Sequence, residues 1–169
     1  MNGLWKYGML AISIFGVFWL VDRSNGIYWV GNTNLEVVLC IKDSESGTPI
    51  PDSTISVRTY GTEGLPQGAV KDPIDGMYHF SLKTDASGIV RLECNDVTRS
   101  GKRSFLRFTD TYCVANPAYS WDMNISANGY ASLSDFSLGK GATIKSSERL
   151  DSKHDRTVIE ITLTPISKP

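Results

Sequence analysis

Residues 121–130, WDMNISANGY, decide the fold class of this chain. From Trp121 to Ile125 every second residue is apolar and those between are polar, which is the period of a strand with one buried face. An Asn-Gly pair follows at 128–129, and this dipeptide is the strongest short-range signal for a hairpin turn. Residues 130–138 are therefore predicted to return as an antiparallel strand.

Strand patterns continue on both sides of this hairpin. Alternating or continuous apolar runs predict strands at residues 35–42, 54–60, 77–83, 89–94, 103–109 and 157–163. The cluster TDASG at 84–88 predicts a turn with Gly88 at positive φ, whereas residues 139–155 are charged and predict an exposed loop. Helical periodicity is absent after the N-terminal segment. We therefore predict an all-β domain over residues 35–166, an antiparallel sandwich of seven or eight strands.

The inward positions of these strands predict the core. Since a slip of one residue would exchange the two faces of a strand, the choice of positions also tests the predicted register. The side chains expected to be buried are Leu39, Val57, Phe80, Leu92, Ile125 and Ile161.

The N-terminal segment carries a different signal. Residues 7–21 are fifteen residues without a charge, and aromatic rings near both ends of the run favour a membrane interface. We predict a transmembrane helix, with residues 4–21 contacting the membrane, within an anchor or signal peptide over 1–23 and a linker over 24–34. This predicts a single-pass protein with the sandwich outside the cytoplasm. The alternative is signal cleavage near the small residues at 24–26, which gives a secreted or periplasmic protein.

Composition excludes some partners. The chain has 17 basic and 18 acidic residues and a pI of about 6.1, so it lacks the basic excess with which nucleic-acid binders neutralise phosphates. A nucleic-acid partner is therefore not expected.

The three cysteines bear on export and metal binding. They form no Cys-x-x-Cys pair and no Cys/His cluster, so they do not indicate a zinc site. Cys94 and Cys113 flank an irregular stretch and are a possible disulfide, with two free thiols as the alternative. Cys40 lies in an apolar run and is interpreted as a small buried side chain.

Three blocks of sequence resemble a known family. Residues 37–57, 84–92 and 125–130 occur in the order, and with the turn signals, of the carboxypeptidase regulatory-like domain, a transthyretin-like (prealbumin-like) β-sandwich, and residues 159–163 are similar to its last strand. The chain departs from a minimal module of this type in an insertion around 101–119. The resemblance implies a non-catalytic accessory, spacer or ligand-binding domain.

No catalytic motif supports an enzyme. His79 and His154 are the only histidines, and both are interpreted as surface residues. Among fold relatives, hydroxyisourate hydrolases have a Tyr-Arg-Gly-Ser-type C-terminus that this chain lacks, and intradiol dioxygenases need two Tyr and two His on iron. The chain is accordingly expected to be no enzyme, with no catalytic residue, metal or cofactor. Carboxylates in predicted turns are interpreted as solvated turn residues rather than calcium ligands: Asp43, Glu45, Asp75 and Asp85.

Aromatic residues supply the candidate ligand site. Tyr112, Tyr119 and Trp121 lie in or beside the insertion and could form a stacking platform, although alternation also favours core packing for Trp121. Loops on a rigid sandwich commonly carry recognition, so a protein or glycan partner is expected to contact residues 101–120 first. The sequence thus predicts a membrane-tethered extracytoplasmic non-catalytic structural or interaction module, with a cell-surface carbohydrate- or peptide-binding module as the alternative.

Overall fold

The computed structural model describes residues 3–24, 27–62, 64–66, 68–103, 110–138 and 142–166. Within these ranges one α-helix precedes ten strands, and a short 3-10 helix, Pro117–Ser120, lies between the sixth and seventh. The elements are α1 (Gly3–Ser24), β1 (Ile27–Asp43), β2 (Thr54–Thr59), β3 (Val70–Lys71), β4 (Tyr78–Lys83), β5 (Ile89–Arg103), β6 (Asp110–Val114), β7 (Asp122–Ser126), β8 (Leu133–Phe136), β9 (Thr143–Arg149) and β10 (His154–Leu163).

The chain divides into two compact units. The first, called here the N-terminal unit, comprises Met1–Gly31 and Thr98–Val114. The second, called the sandwich unit, comprises Asn32–Val97 and Ala115–Pro169. Strands β1 and β5 contribute residues to both units, so each unit is described by itself.

Two sheets form the sandwich unit, which confirms the predicted all-β sandwich. In one sheet β1 lies between β5 and β10, and β9 follows β10; in the other the order is β3-β4-β2-β7-β8. The second sheet is antiparallel, but β1 and β10 pair in parallel, with Leu35 opposite Asp155. The prediction of a purely antiparallel sandwich is therefore wrong. Because β1 and β10 are far apart in sequence, no hairpin turn constrains their direction.

The core confirms most of the predicted register. Leu39, Val57, Leu92, Ile125 and Ile161 are buried, whereas Phe80 is half-buried. Apolar residues also pair across adjacent strands, as in the buried pair of Ile55 with Ile125 across β2 and β7. Burial of these side chains, at roughly 1.5–3 kcal/mol each, is the main favourable term in the stability of such a sandwich.

The predicted turns are present. Gly88 has φ +68°, and a Cβ at this position would lie 2.8 Å from the carbonyl oxygen of Ile41, so both backbone conformation and space require glycine. Gly129 has φ +82° between the antiparallel strands β7 and β8. Both turn assignments made from the sequence are thus confirmed.

Other boundaries differ from the prediction. β1 begins at Ile27, so residues 27–34 belong to a strand rather than to the predicted linker. β9 lies within the predicted loop at 139–155 and pairs antiparallel with β10, although all its side chains are exposed. A strand exposed on both faces has no apolar period, and its stability comes from backbone pairing. Most of the strand predicted at 103–109 falls outside the described residues.

The N-terminal unit contains α1, which forms where an apolar helix was predicted. Its described side chains, residues 7–20, are exposed. None of the described helices combines the length and the apolar character needed to cross a bilayer. The uncharged run is about 22 Å long as a helix, short of a hydrocarbon core of about 30 Å. The absence of a membrane-spanning helix among the described residues shows that the predicted transmembrane anchor over residues 4–21 was wrong, and with it the single-pass localisation.

Candidate active site

A histidine–aspartate pair lies at the start of β10. The turn that enters β10 is closed by backbone N–H groups of Leu150 and Asp151, which donate to the carbonyl oxygen of His154 at 2.9 and 3.1 Å. Residues 151 and 154 are three apart and share this turn, so their side chains meet. The geometry of the pair follows from a local turn and not from a long-range contact.

Asp151 holds one nitrogen of the imidazole ring. Its Oδ2 and Oδ1 lie 2.8 and 3.0 Å from His154 Nδ1. Asp151 Oδ1 also accepts the backbone N–H groups of Lys153 (2.6 Å) and His154 (2.9 Å). The carboxylate is therefore oriented by the backbone while it orients the ring.

These hydrogen bonds also decide the protonation states. The backbone N–H of Lys153, and then the His154 side chain, hold the pKa of Asp151 below its usual value, so the group is ionised at neutral pH. An ionised carboxylate can only accept hydrogen bonds. Nδ1 of a neutral His154 must therefore carry the ring proton, and Nε2 is left as the acceptor.

The pair lines a cleft of about 470 Å³. Polar side chains from the neighbouring strands β1 and β5 surround it: Asn34, Glu36, Arg91 and Glu93. Asn34 is aligned with His154 across the parallel β1–β10 pair. Within each of β1 and β5 the two polar cleft residues are two positions apart and share a face. The cleft is thus built on the sheet face opposite to the core.

Charges in the cleft are mostly negative. Glu36 is bridged by Arg156 Nε at 2.6 Å and by Arg91 Nε at 3.6 Å, which accounts for one carboxylate. Asp155 is buried on the core face of β10, opposite Leu35, and accepts a hydrogen bond of 2.7 Å from Thr33 Oγ1, so its charge does not face the open cleft. Glu36, Asp151 and the exposed Glu93 still outnumber the guanidinium of Arg91 in the lining, a balance that attracts positively charged molecules.

A second histidine–aspartate pair, His79 with Asp75, lies outside the cleft, at the loop before β4. His79 Nε2 lies 3.3 Å from Asp75 Oδ2, and Asp72 completes a group whose ligand atoms lie within 4.8 Å of one another. Both carboxylates already accept backbone N–H groups of their own loop, from Ile74 at 2.7 Å and from Met77 at 2.8 Å. Closure of the loop before β4 accounts for this cluster, and the cleft contains His154 but not His79.

The three ligand-site residues named from the sequence have different structural settings. Tyr112 lies on β6 in the N-terminal unit, whereas Tyr119 and Trp121 belong to the sandwich unit. Trp121 is 1% exposed and packs edge-on against Phe80, with ring centroids 5.4 Å apart. Trp121 is therefore a core residue, which confirms the core packing favoured by the alternation of its strand and removes this ring from the candidate stacking platform. Tyr119 is exposed on the short 3-10 helix.

Cys94 and Cys113, named from the sequence as a possible disulfide, are both free thiols, which was the stated alternative. Cys94 is buried in the core, where desolvation raises its pKa to about 12, and Cys113 is exposed. Cys40 was interpreted as a buried side chain but is half-buried, because it lies on the face of β1 opposite to that of the buried Leu39 and Ile41.

Sequence reasoning did not name His154 as a candidate functional residue. The Asp-x-x-His spacing at 151–154 was visible, but it lies in a charged stretch that predicts a solvated loop. In sequence, this spacing cannot be distinguished from that of an aspartate and a histidine that are both exposed on the surface. Only the cleft formed by β1, β5 and β10 distinguishes it.

Comparisons with known proteins give structural neighbours only. No family model matches the chain, and no curated protein is significantly similar in sequence. The 3-chlorocatechol 1,2-dioxygenase of Rhodococcus opacus 1CP aligns with 80% of this chain and 61% of its own at 12% identity and a TM-score of 0.45. The catechol 1,2-dioxygenase of Pseudomonas arvilla C-1 aligns over 82% of this chain and 54% of its own length, at 14% identity and a TM-score of 0.45. For an intradiol ring-cleavage dioxygenase of Tetranychus urticae the alignment covers 82% of this chain and 84% of the other, at 11% identity and a TM-score of 0.39. The chain thus spans about half to three fifths of the length of the first two.

These neighbours correct two predictions. They are intradiol dioxygenases and not carboxypeptidase regulatory-like domains, so the family suggested by the sequence blocks is wrong. They are also enzymes, which corrects the expectation of a non-catalytic structural or binding module. With identities of 11–14% and TM-scores of 0.45 or less, their reaction is not transferred to this chain.

The iron ligand set of two Tyr and two His does not fit this chain. The sequence has two histidines. His79 lies on β4 and His154 on β10, in different sheets, and each is hydrogen-bonded to its own aspartate. The two imidazoles are engaged separately, so no step through iron is derived.

Proposed function

We propose that this protein is an acid–base enzyme that hydrolyses a small ester or thioester bearing a positive charge, with its centre at His154 in the cleft. The observation that carries the proposal is the contact of both Asp151 carboxylate oxygens with Nδ1, at 2.8 and 3.0 Å. This contact leaves Nε2 as a proton acceptor, and the ring lines a cleft of suitable size for a small molecule.

In the proposed reaction Nε2 takes a proton from water as the water oxygen bonds to the carbonyl carbon. The imidazolium then returns that proton to the leaving oxygen or sulfur as its bond to carbon breaks. Asp151 is a positioning residue that fixes the tautomer and stabilises the charged ring. No redox partner or cofactor is required, because water and the substrate balance the reaction.

Two cleft residues are placed to stabilise the negative oxygen that develops on the carbonyl. Arg91 carries a guanidinium, of which Nε faces Glu36 at 3.6 Å. Asn34 uses its side-chain oxygen to accept the backbone N–H of Asp96 at 3.5 Å, so its amide nitrogen is the donor end. Donors fixed in place before the reaction are an effective source of transition-state stabilisation.

The preference for a cation follows from the surplus of carboxylates. Glu93 is exposed at the cleft, and no described residue forms an ion pair with it. A positively charged group near Glu93 would gain electrostatic attraction that a neutral analogue would not. The proposed positive charge of the substrate therefore rests on Glu93, whereas the proposed reaction rests on His154.

The test is hydrolysis of acetylthiocholine and of uncharged ethyl thioacetate by the full chain, with acetate release followed by NMR. We expect faster turnover of acetylthiocholine and loss of the activity in H154Q. The variant E93Q should raise KM several-fold for acetylthiocholine only, and E45Q, in an exposed turn, is the matched control. Rates equal to buffer, or unchanged in H154Q, would overturn the proposed function. Equal rates on both substrates would overturn the assignment of charge.

A further inference from the structure

The loop before β4, in the sandwich unit, brings together three side chains that can bind a metal ion. Asp72, Asp75 and His79 each offer one ligand atom, and these atoms lie within 4.8 Å of one another. We call these three residues the loop cluster. None of them lines the cleft at His154, so a ligand of the loop cluster is independent of the proposed function.

Backbone hydrogen bonds hold this loop in shape. The N–H of Asp72 donates to the carbonyl oxygen of Met77 at 2.8 Å, and the N–H of Gly76 donates to the carbonyl oxygen of Asp72 at 3.0 Å. His79 follows two residues later and belongs to β4. The loop and the strand therefore fix the backbone that carries all three side chains of the loop cluster.

Closure of the loop uses only one oxygen of each carboxylate. Oδ1 of Asp72 accepts the N–H of Ile74 at 2.7 Å, and Oδ1 of Asp75 accepts the N–H of Met77 at 2.8 Å. Oδ2 of Asp75 faces Nε2 of His79 at 3.3 Å, and no described residue donates a hydrogen bond to Oδ2 of Asp72. The backbone thus orients both carboxylates and leaves one oxygen of each available to a ligand.

The charge of the loop cluster favours a cation of more than one charge. Two carboxylates face one imidazole, so even a protonated His79 leaves one negative charge uncompensated. The cationic residue opposite His79 across the β2–β4 pair, Arg58, forms its ion pair with Asp135 at 3.2 Å. Among the described residues, neither Asp72 nor Asp75 forms an ion pair with a lysine or an arginine. A divalent ion would compensate both carboxylates at once.

The imidazole distinguishes the loop cluster from an ordinary acidic turn. Calcium and magnesium ions take oxygen ligands, whereas a histidine nitrogen is a usual ligand of zinc and related transition metals. In a tetrahedral zinc site with bonds of about 2.0 Å, neighbouring ligand atoms are about 3.3 Å apart. Asp75 Oδ2 and His79 Nε2 already lie at this separation.

We infer that Asp72, Asp75 and His79 bind a divalent transition metal ion of the zinc type, through one oxygen of each carboxylate and Nε2 of the imidazole. Three protein ligands leave a fourth position open to water. In the metal-free protein Nε2 of His79 and Oδ2 of Asp75 share a proton, which a bound metal ion replaces.

The probe for the test is Zn²⁺, titrated into the metal-free full chain against a chromophoric chelator. We expect one ion per chain and affinity that is lower by about tenfold or more in D72N and in H79Q. D72N keeps the side-chain oxygen that accepts the N–H of Ile74, so its loop is expected to close. The matched control is D85N, because Asp85 also accepts backbone N–H groups in a turn, from Ser87 at 2.8 Å and Ile89 at 3.0 Å.

Three results of this titration would overturn the inference. They are an affinity unchanged in both D72N and H79Q, an equal loss of affinity in D85N, and no binding of Zn²⁺. Equal affinity for Ca²⁺ would contradict the assignment to a transition metal, because that ion gains little from an imidazole nitrogen.

Nitrogen–proton NMR locates the ion without any measurement of activity. The chain has two histidines, so the two imidazoles are readily compared. Zn²⁺ should shift the Nε2 resonance of His79 and leave both nitrogens of His154 unchanged. A shift of His154 alone, or no shift of His79 under saturation, would place the ion elsewhere and contradict the inference.

Discussion

In both histidine–aspartate pairs of this protein the aspartate precedes the histidine by a few residues, but the hydrogen-bond geometry of the two pairs differs. Asp75 and His79 are four residues apart, and Asp151 and His154 are three apart. In the first pair a single contact of 3.3 Å joins Nε2 to one oxygen, whereas in the second both oxygens contact Nδ1 at 3.0 Å or less. Spacing along the chain does not reveal which nitrogen is held.

The surroundings of the two pairs differ as well. Asp75 and the neighbouring Asp72 close a loop in front of β4. His154 instead shares its cleft with polar side chains of β1 and β5, which the parallel pairing of β1 with β10 brings beside it. The comparison teaches that a histidine gains a chemical role from the groups that face it across strands.

The largest expected effect is loss of hydrolysis in H154Q, by about 10²- to 10⁴-fold in kcat, the usual contribution of a general base. H79Q is the matched variant, and its rate should equal that of the wild type. Steady-state kinetics with acetylthiocholine measure both. Added imidazole should restore part of the activity in H154A, where it can occupy the vacated space. Equal losses in H154Q and H79Q would remove the distinction between the pairs.

A smaller effect, about 10- to 100-fold in kcat, is expected for D151N, because an amide no longer fixes the tautomer or supports the charged ring. D75N should leave kcat unchanged. The readout that separates positioning from a change in substrate binding is the split between kcat and KM, since loss of the tautomer-fixing contact should lower kcat and leave KM near the wild-type value. A D151N variant in which KM changes as much as kcat would contradict the positioning role.

The two rings should also differ in tautomer. At about pH 8.5, where an ordinary imidazole is neutral, His154 should carry its proton on Nδ1 and His79 on Nε2, because each donates to a carboxylate. Long-range nitrogen–proton NMR spectra distinguish the two forms. The same tautomer at both sites would mean that one of the two hydrogen bonds is not formed in solution.

The smallest expected effect is on the pH dependence of the unfolding temperature. Hydrogen bonds hold the pKa of Asp151 and of Asp75 below the usual range in the folded protein. A lowered folded pKa stabilises the protein above the unfolded pKa of about 3.9, and this contribution is lost as the pH falls through the folded value. D151N and D75N should therefore each lower Tm slightly at pH 7 and approach the wild type in strong acid. A Tm difference that does not shrink with falling pH would exclude these carboxylates as its source.

Much of the sandwich could be predicted from short patterns. The Asn-Gly turn at 128–129, the positive φ of Gly88 and the burial of Leu39 and Ile161 each follow from local conformational or hydrophobic preferences. β9 could not be found in this way, because it is exposed on both faces and pairs only through its backbone. The N-terminal helix was predicted from its uncharged run, but its prediction as a membrane anchor was wrong.

The candidate site was harder to predict than the fold. Its base belongs to β10, but its cleft needs Asn34 and Glu36 from β1 and Arg91 from β5. These three strands are far apart along the chain. Their proximity depends on the parallel β1–β10 pair, which no hairpin signal indicates. Similarly, the spacing of Cys94 and Cys113 left a disulfide and two free thiols as alternatives, and only the structure shows both as free thiols.

By itself the sequence determined that this protein is an all-β domain behind a helical N-terminal segment, since alternation and turn residues act over a few positions and need no distant partner. Only the tertiary structure decided which strands are neighbours and which of two histidines faces a cleft. The physical reason is that a site depends on side chains brought together across a sheet. The pairing that does so is stabilised by the whole core and is not encoded at any one position.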